Sequence, residues 1–260
     1  MIIVPSTEAL SKIQDLGTYF CLANKKKYKV TPGNNIGDGL EAHYKFTDGV
    51  INDSLGNHNL TTAAGRSLTT GPEAYFPAVA SGGYRGTSPL ATNFFSTFSD
   101  NISVSYWTRM TNVTNSTNGR HIGGVGFVDD RYGGSGYGIG VETYLEVSGA
   151  ETMRSFIGTG GSGMNATINL DPKPTVDDWI YVCWIFELGK PGRLHVKYRG
   201  TFYTSYDTVN CVKPTTQHYL VVGGWKDLSS TYSRPTDVSN VRIYNRALND
   251  SEARELSNEM

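Results

Sequence analysis

Three stretches gather side chains that could do chemistry. "FVDDRYGGSGYG", residues 127–138, brings together Asp129, Asp130, Arg131, Tyr132 and Tyr137, and "GGWKDLSSTYSRP", residues 223–235, brings together Trp225, Asp227 and Tyr232. An aromatic face for the apolar side of a sugar ring, with planar polar groups for its hydroxyls, is what glycan recognition needs. These eight are therefore the candidate ligand contacts. The third stretch, "NDSLGN", offers oxygens from Asn52, Asp53 and Asn57. Calcium takes carboxylate and amide oxygens of this kind, which makes it the one cofactor these residues suggest. The same run reads equally well as a turn held by Asx bonds.

Catalytic arrangements are poorly represented. "ETYLEV" sets Glu142 and Glu146 four residues apart with Tyr144 between them, so strand alternation puts all three on one face. Retaining glycoside hydrolysis needs two carboxyl groups about 5 to 5.5 Å apart, and an exposed acidic strand is the plainer reading. His121 and His218 have no Ser or Cys partner in a recognisable triad motif. The glycines of "GGSGYGIG", Gly134, Gly136, Gly138 and Gly140 among them, lead into no helix, so they lack the strand-to-helix setting of a phosphate loop.

The elements that must position these residues read as strands. "NISVSYWTRM" alternates Ile102, Val104 and Tyr106 with Ser103, Ser105 and Trp107, while "WIYVCWIFEL" is apolar on both faces, as a central strand covered on both sides would be. It runs through "GKPG" into "RLHVKYRG", where Leu194, Val196 and Tyr198 alternate with Arg193, His195, Lys197 and Arg199 as in a half-buried partner strand. "LEAHYKF", "HYLVVGGW" and "SNVRIYN" are further strands. After Tyr244 the sequence "LNDSEA" places Asn249 as N-cap and Glu252 at N3 of a short helix, with Leu248 just ahead as a staple toward Ala253. Residues 1–36 differ in character. There Ser6 caps a predicted short helix with Leu10, Ile13 and Leu16 at helical spacing, followed by the basic run "NKKKYKV" and a Pro/Gly joint, "TPGNNIGDG".

Taken in order, "LEAHYKFTDGVINDSLGNHNL", "ISVSYWTRM", "DDWIYVCWIFELGKPGRLHVKYRGTFY", "LVVGGW" and "DVSNVRIYNRALNDSEAREL" resemble the concanavalin A-like lectin/glucanase superfamily, and most nearly its laminin G-like branch. The match rests on the Asp53–Asn57 loop, the Ser105–Trp107 strand, the strand led by Trp179 and the tail Ile243–Leu248. The resemblance implies an all-β fold, an antiparallel two-sheet jelly-roll sandwich with a short N-terminal arm and a short C-terminal helix. It also implies members that bind glycans or proteins, often with calcium in the loops. Glucanases of the superfamily carry Glu-x-Asp-x-(x)-Glu on one strand, and this chain has Tyr144 where the Asp would stand. Two departures stand out: Arg199-Gly200 replaces the usual Asp-Gly hairpin, and residues up to 35 have no counterpart in the family core.

Composition sets the remaining bounds. Thirty glycines, sixteen tyrosines and 18% charged residues favour a β-rich globular chain, and a net charge of −1 gives no footprint for nucleic acid. No apolar run approaches the roughly 18 residues of a membrane span, and the N-terminus lacks a basic n-region, so membrane insertion is not expected and the chain reads as made in the cytoplasm. Cys21, Cys183 and Cys211 read as free thiols, and the seven Asn-x-Ser/Thr sequons as products of an Asn/Ser/Thr-rich chain. A virus assembles its coat in the cytosol and displays it outside. The expected function is accordingly a non-enzymatic virion surface protein, a capsid decoration or tail component, presenting residues 37–260 as a laminin G-like adhesion domain for host or environmental glycans. Residues 1–36 would then dock on capsid or tail proteins or knit a homo-oligomer. The alternative is a carbohydrate-binding module of an extracellular microbial surface protein, with a glycoside hydrolase third.

Overall fold

In a computed structural model of the chain, the structure describes residues 18–21, 26–29, 36–46, 52–60, 75–76, 84–85, 100–110, 120–122, 124–129, 139–145, 152–157, 165–172, 174–175, 178–212, 218–224 and 236–259. The chain divides into two compact units, Met1–Asp38 and Gly39–Met260. In the first, β1 (Thr18–Cys21) pairs antiparallel with β2 (Lys26–Lys29), so the basic run lies in a two-stranded sheet that its charge pattern did not announce. The helix expected from Ser6 lies outside the described residues.

The second unit holds β3 (Leu40–Tyr44), β4 (Tyr75–Phe76), β5 (Tyr84–Arg85), β6 (Asn101–Met110), β7 (Arg120–Ile122), β8 (Gly124–Asp129), β9 (Ile139–Leu145), β10 (Thr152–Ile157), β11 (Asn165–Asn169), β12 (Ile180–Glu187), β13 (Pro191–Tyr198), β14 (Thr201–Asn210), β15 (His218–Gly224), β16 (Thr236–Tyr244) and α1 (Asp250–Leu256). Among the described residues these strands form two seven-stranded antiparallel sheets. Sheet I runs β11-β10-β9-β8-β15-β5, with β7 beside β9. Sheet II runs β14-β13-β12-β6-β16-β3, with β4 beside β16. This is the two-sheet jelly-roll sandwich.

The core forms where inner faces of the two sheets meet. Ile102, Val104, Tyr106, Val182, Trp184, Leu194, Val196 and Ile243 from sheet II pack in one cluster with Val125, Ala166, Ile168, Leu220 and Val222 from sheet I. Trp184 also crosses the sandwich, donating its indole N–H to the Val125 carbonyl at 3.1 Å, which satisfies the one polar atom of a buried ring. In β16 a bulge between Ser239 and Arg242 adds one residue, with Asn240 at φ 53°. That extra residue lets Val238 and Val241, three apart, both face the core.

The tail that closes the chain is tied down at nearly every residue. Asn245 N donates to Gly39 O at 2.9 Å, and Gly39 has φ +67° with Asn245 Oδ1 only 2.6 Å from where a Cβ would sit, so glycine is required there. Ser103 Oγ donates to Arg246 O and accepts from Leu248 N. Asn249 Oδ1 accepts from Glu252 N while Glu252 Oε2 accepts from Asn249 N, completing the expected capping box, and Arg246 forks onto both Glu252 oxygens at 2.8 and 2.9 Å. Leu248, Ala253 and Leu256 are fully buried.

Candidate ligand-binding site

A ligand needs an accessible face, and α1 covers the centre of the outer face of sheet II while the edge strand β14 stays exposed. Beneath α1, Arg193 reaches Asp250 Oδ1 at 3.0 Å and Leu248 O at 2.8 Å, Lys197 reaches Ser257 O at 3.0 Å, and the Arg254 guanidinium lies 4.3 Å from the Phe202 ring centre. At the far end Arg242 pairs with Glu259 at 2.7 Å, while Asn240 bridges His43 and the Glu259 carbonyl. Ser103, Ser105, Tyr181, Cys183 and His195, all on this outer face, are consequently buried. The half-buried strand expected at β13 is thus covered on both sides, since the sequence pattern shows the alternation but not the helix that lies over it.

His195 is the group this burial perturbs most visibly. Its Nδ1 lies 3.0 Å from Thr204 Oγ1 and its Nε2 3.5 Å from Asp250 Oδ1. Burial lowers its pKa to about 4; Asp250 opposes the shift, while Arg193 and Arg254 add to it. The imidazole is therefore neutral at pH 7 and serves as packing under α1. Cys183 and Cys211 are buried free thiols pushed up by burial to about 12 and about 11, which makes them inert rather than nucleophilic.

The Asn52–Asn57 loop does not fit a calcium ion. Asp53 Oδ1 accepts the backbone N–H groups of His43 (2.7 Å) and Leu55 (3.0 Å), and Oδ2 accepts those of Asn57 (3.1 Å) and His58 (3.2 Å). Four N–H dipoles aimed at one carboxylate occupy its lone pairs and present positive ends where a cation would have to sit. Asn59 Oδ1 is likewise taken, by Asp53 N at 3.1 Å. Asn52 and Asn57 are exposed. Of the two readings of "NDSLGN", the geometry is that of the Asx turn, fastening the loop to β3. No group of three or more His, Cys, Asp or Glu side chains suited to a metal occurs among the described residues.

The two candidate loops are placed by their strands. Asp129 ends β8, and Asp130, Arg131, Tyr132 and Tyr137 follow it, outside the described residues; Trp225, Asp227 and Tyr232, also outside them, follow the end of β15. β8 and β15 are antiparallel neighbours, with His218 opposite Asp129 and Gly224 opposite Gly124. The loops therefore depart from opposite ends of one strand pair, about 17–20 Å apart at the usual rise per residue. In β9, register sets Arg154 opposite Glu142 and His121 opposite Tyr144, with Glu146 beyond the strand end and outside the described residues.

Residues 82–254 match a laminin G family model described as the concanavalin A-like lectin/glucanases superfamily. The chain belongs to this superfamily. Solved structures agree in fold at low identity. Trypanosoma rangeli sialidase in complex with 2,3-difluorosialic acid, a covalent intermediate, is similar with a TM-score of 0.58 and 16% identity over 85% of this chain and 33% of that one. The botulinum neurotoxin serotype C1 binding domain is similar with a TM-score of 0.55 and 12% identity over 86% and 53%. A structure of botulinum neurotoxin type C, whose cell entry is described as dependent on two ganglioside molecules, gives 0.54 and 13% over 86% and 52%. This superfamily member spans between a third and just over half of those chains. No curated protein matches it by sequence.

Proposed function

We propose that this concanavalin A-like chain is a non-enzymatic, lectin-like adhesion domain that binds glycans through loops at the ends of sheet I, displayed on a virion surface by its N-terminal unit. The observation that supports the reading is the covered centre of the outer face of sheet II: α1 buries Ser103, Ser105, Tyr181, Cys183 and His195 there, which favours recognition at sheet I and its loops. Those loops hold Asp129, Asp130, Arg131, Tyr132 and Tyr137 at one end, and Trp225, Asp227 and Tyr232 at the other. Because the strands that lead into the two loops end at opposite ends of the β8–β15 pair, we treat each set as a contact site of its own. Sialylated glycans are the first ligands to try, given what the similar sialidase and toxin structures are described as binding. Against hydrolysis, Glu142 has Arg154 as its cross-strand neighbour, and the position between the two glutamates is Tyr144. The N-terminal unit, compact in itself and outside the family match, supports a role as the docking arm for capsid or tail proteins.

The test is a glycan array that includes sialylated structures, run on the wild type and on the Tyr137→Ala and Trp225→Ala variants. Loss of binding in one variant identifies which end binds. Binding that survives both substitutions refutes the loop assignment, and no binding at all leaves a purely structural domain. Removal of residues 1–36 should abolish incorporation into particles while leaving glycan binding intact.

A further inference from the structure

Four of the five large hydrophobic side chains exposed among the described residues lie at one edge of sheet II: Leu188, Tyr206, Val209 and Val212, at 37%, 54%, 51% and 53% exposure. The edge strand is β14, whose partner on one side is β13. Its ladder is regular from Thr201 to Tyr206 and then breaks. Arg193 faces Tyr206 but Pro191 faces Asn210, so four steps on β14 answer two on β13.

The two-residue turn Arg199-Gly200 makes Tyr198 and Thr201 the hydrogen-bonded pair beside the turn. Alternation from that point directs the N–H and C=O groups of Phe202, Thr204 and Tyr206 away from β13. Those outward groups have no hydrogen-bond partner among the described residues. A six-residue run of Thr, Phe, Tyr, Thr, Ser and Tyr has high β-propensity and carries no Lys, Arg or Pro of the kind that blunts an exposed edge.

We propose that a second copy of the chain covers this edge, β14 pairing antiparallel with its own counterpart about a two-fold axis at Thr204 and joining two copies of sheet II into one. Only residues whose backbone groups point outward can exchange bonds. The register that engages all three sets Thr204 opposite Thr204 and Phe202 opposite Tyr206. Thr–Thr and aromatic–aromatic are both favourable cross-strand pairs. Charge is self-compatible: the one charged residue of β14, Asp207, is 4% exposed and turned into the sandwich, so no like charges meet across the axis. The Arg254 guanidinium over Phe202 stands beside the strand, and in this register it faces the second copy's Tyr206 rather than its own counterpart. The irregular stretch at residues 207–209 stops the ladder and disfavours slipped registers. The exposed Tyr206 within the pairing, and Val209, Val212 and Leu188 beside it, lose solvent with it. Six paired residues a side make an interface at the small end of the specific range, which points to a dimer with a Kd on the order of micromolar rather than an obligate one.

Sedimentation equilibrium of the full chain tests this. A concentration-dependent dimer is expected for the wild type. Thr204→Lys, which sets two ammonium groups opposite each other, should weaken it about tenfold or more. Tyr206→Pro, which removes an outward N–H without touching the β13 ladder, should weaken it too, with circular dichroism confirming that both variants fold. In a Cys21→Ser background, Thr204→Cys should form an intermolecular disulfide on oxidation. A chain that stays monomeric up to about a hundred times that Kd, or a dimer that none of the three changes affects, overturns the proposal and gives the edge to a different partner.

Discussion

Arg199 Nε and Nη2 donate to the two carboxylate oxygens of Asp178 at 3.2 and 3.0 Å, while Arg199 itself sits at φ 45° in the turn between β13 and β14. With Gly200 at φ 82° this is the two-residue turn whose twist suits a hairpin. The usual Asp-Gly needs no help there, but an arginine in the left-handed region does, and the fork onto Asp178 supplies it. Thr175 N, Thr175 Oγ1 and Tyr198 OH also donate to Asp178. Burial acts to raise its pKa, yet these donors, Arg199 foremost, hold it at about 2.

Asp178→Ala should therefore destabilise by roughly 1–2 kcal/mol through lost hydrogen bonds, no more than that because the ion pair is largely solvated. Arg199→Asn, which accepts the left-handed conformation without the fork, should cost less than Arg199→Val. A folded pKa below the unfolded one means the Asp178 contribution is present above pH 3.8 and lost as pH falls toward about 2. Denaturant titrations at pH 7 and pH 2.5 check both statements. Equal losses for the alanine variant at the two pH values would show that the carboxylate is not what holds the turn.

Asn249→Ala should cost about 0.5–2 kcal/mol, the usual worth of an N-cap. Here the consequence reaches beyond the helix, because α1 covers His195, Cys183 and Tyr181. Amide exchange on β12 and β13 should rise in this variant. Unchanged exchange would mean that α1 docks without its cap.

Much of this was legible in the sequence, for identifiable reasons. The capping box needs residues three apart, and β6, β12 and β13 announce themselves by alternation, so local pattern sufficed. His195 looked like a solvent-facing position because a helix more than fifty residues later covers it. Asp207 gave no signal at all, since an Asp on an edge strand reads as exposed until the sandwich is seen to enclose it. The ladder between β1 and β2 was hidden behind a basic run. For the two candidate loops, the sequence shows the residue types but not that the strands leading into them, β8 and β15, are antiparallel neighbours that end at opposite ends of the pair.

Asp53→Ala should destabilise the domain equally with calcium or with chelator present, by about 2–4 kcal/mol, because four backbone N–H groups lose their acceptor. Thermal melts of the wild type should likewise not move with calcium. A wild-type melt raised by calcium and lowered by chelator, with the effect gone in Asp53→Ala, would return the loop to the metal reading.

Two buried groups pull the pH dependence of stability in opposite directions. His195, lowered by burial to about 4, binds fewer protons when folded than unfolded between pH 4 and 6.5, so its effect is to make stability fall as pH falls through that window. Burial raises Asp207 to about 7; the Ala166 backbone N–H is the one group that opposes the shift, and it lies too far or too poorly aligned for a full hydrogen bond to either oxygen among the described residues. It binds more protons folded than unfolded between pH 3.8 and 7, so stability falls as pH rises through that range. In the wild type the two slopes offset each other between pH 4 and 6.5. Asp207→Asn should stabilise by about 1–3 kcal/mol at pH 8, where the wild type holds a buried carboxylate with no cation beside it among the described residues, and by little at pH 4. Its remaining slope between pH 4 and 6.5 should be the positive one of His195. His195→Gln should show the reverse, with stability declining from pH 4 to pH 7. Melting curves at half-unit pH steps on the three proteins decide it, and an Asp207→Asn profile parallel to the wild type would show that Asp207 does not titrate in this range.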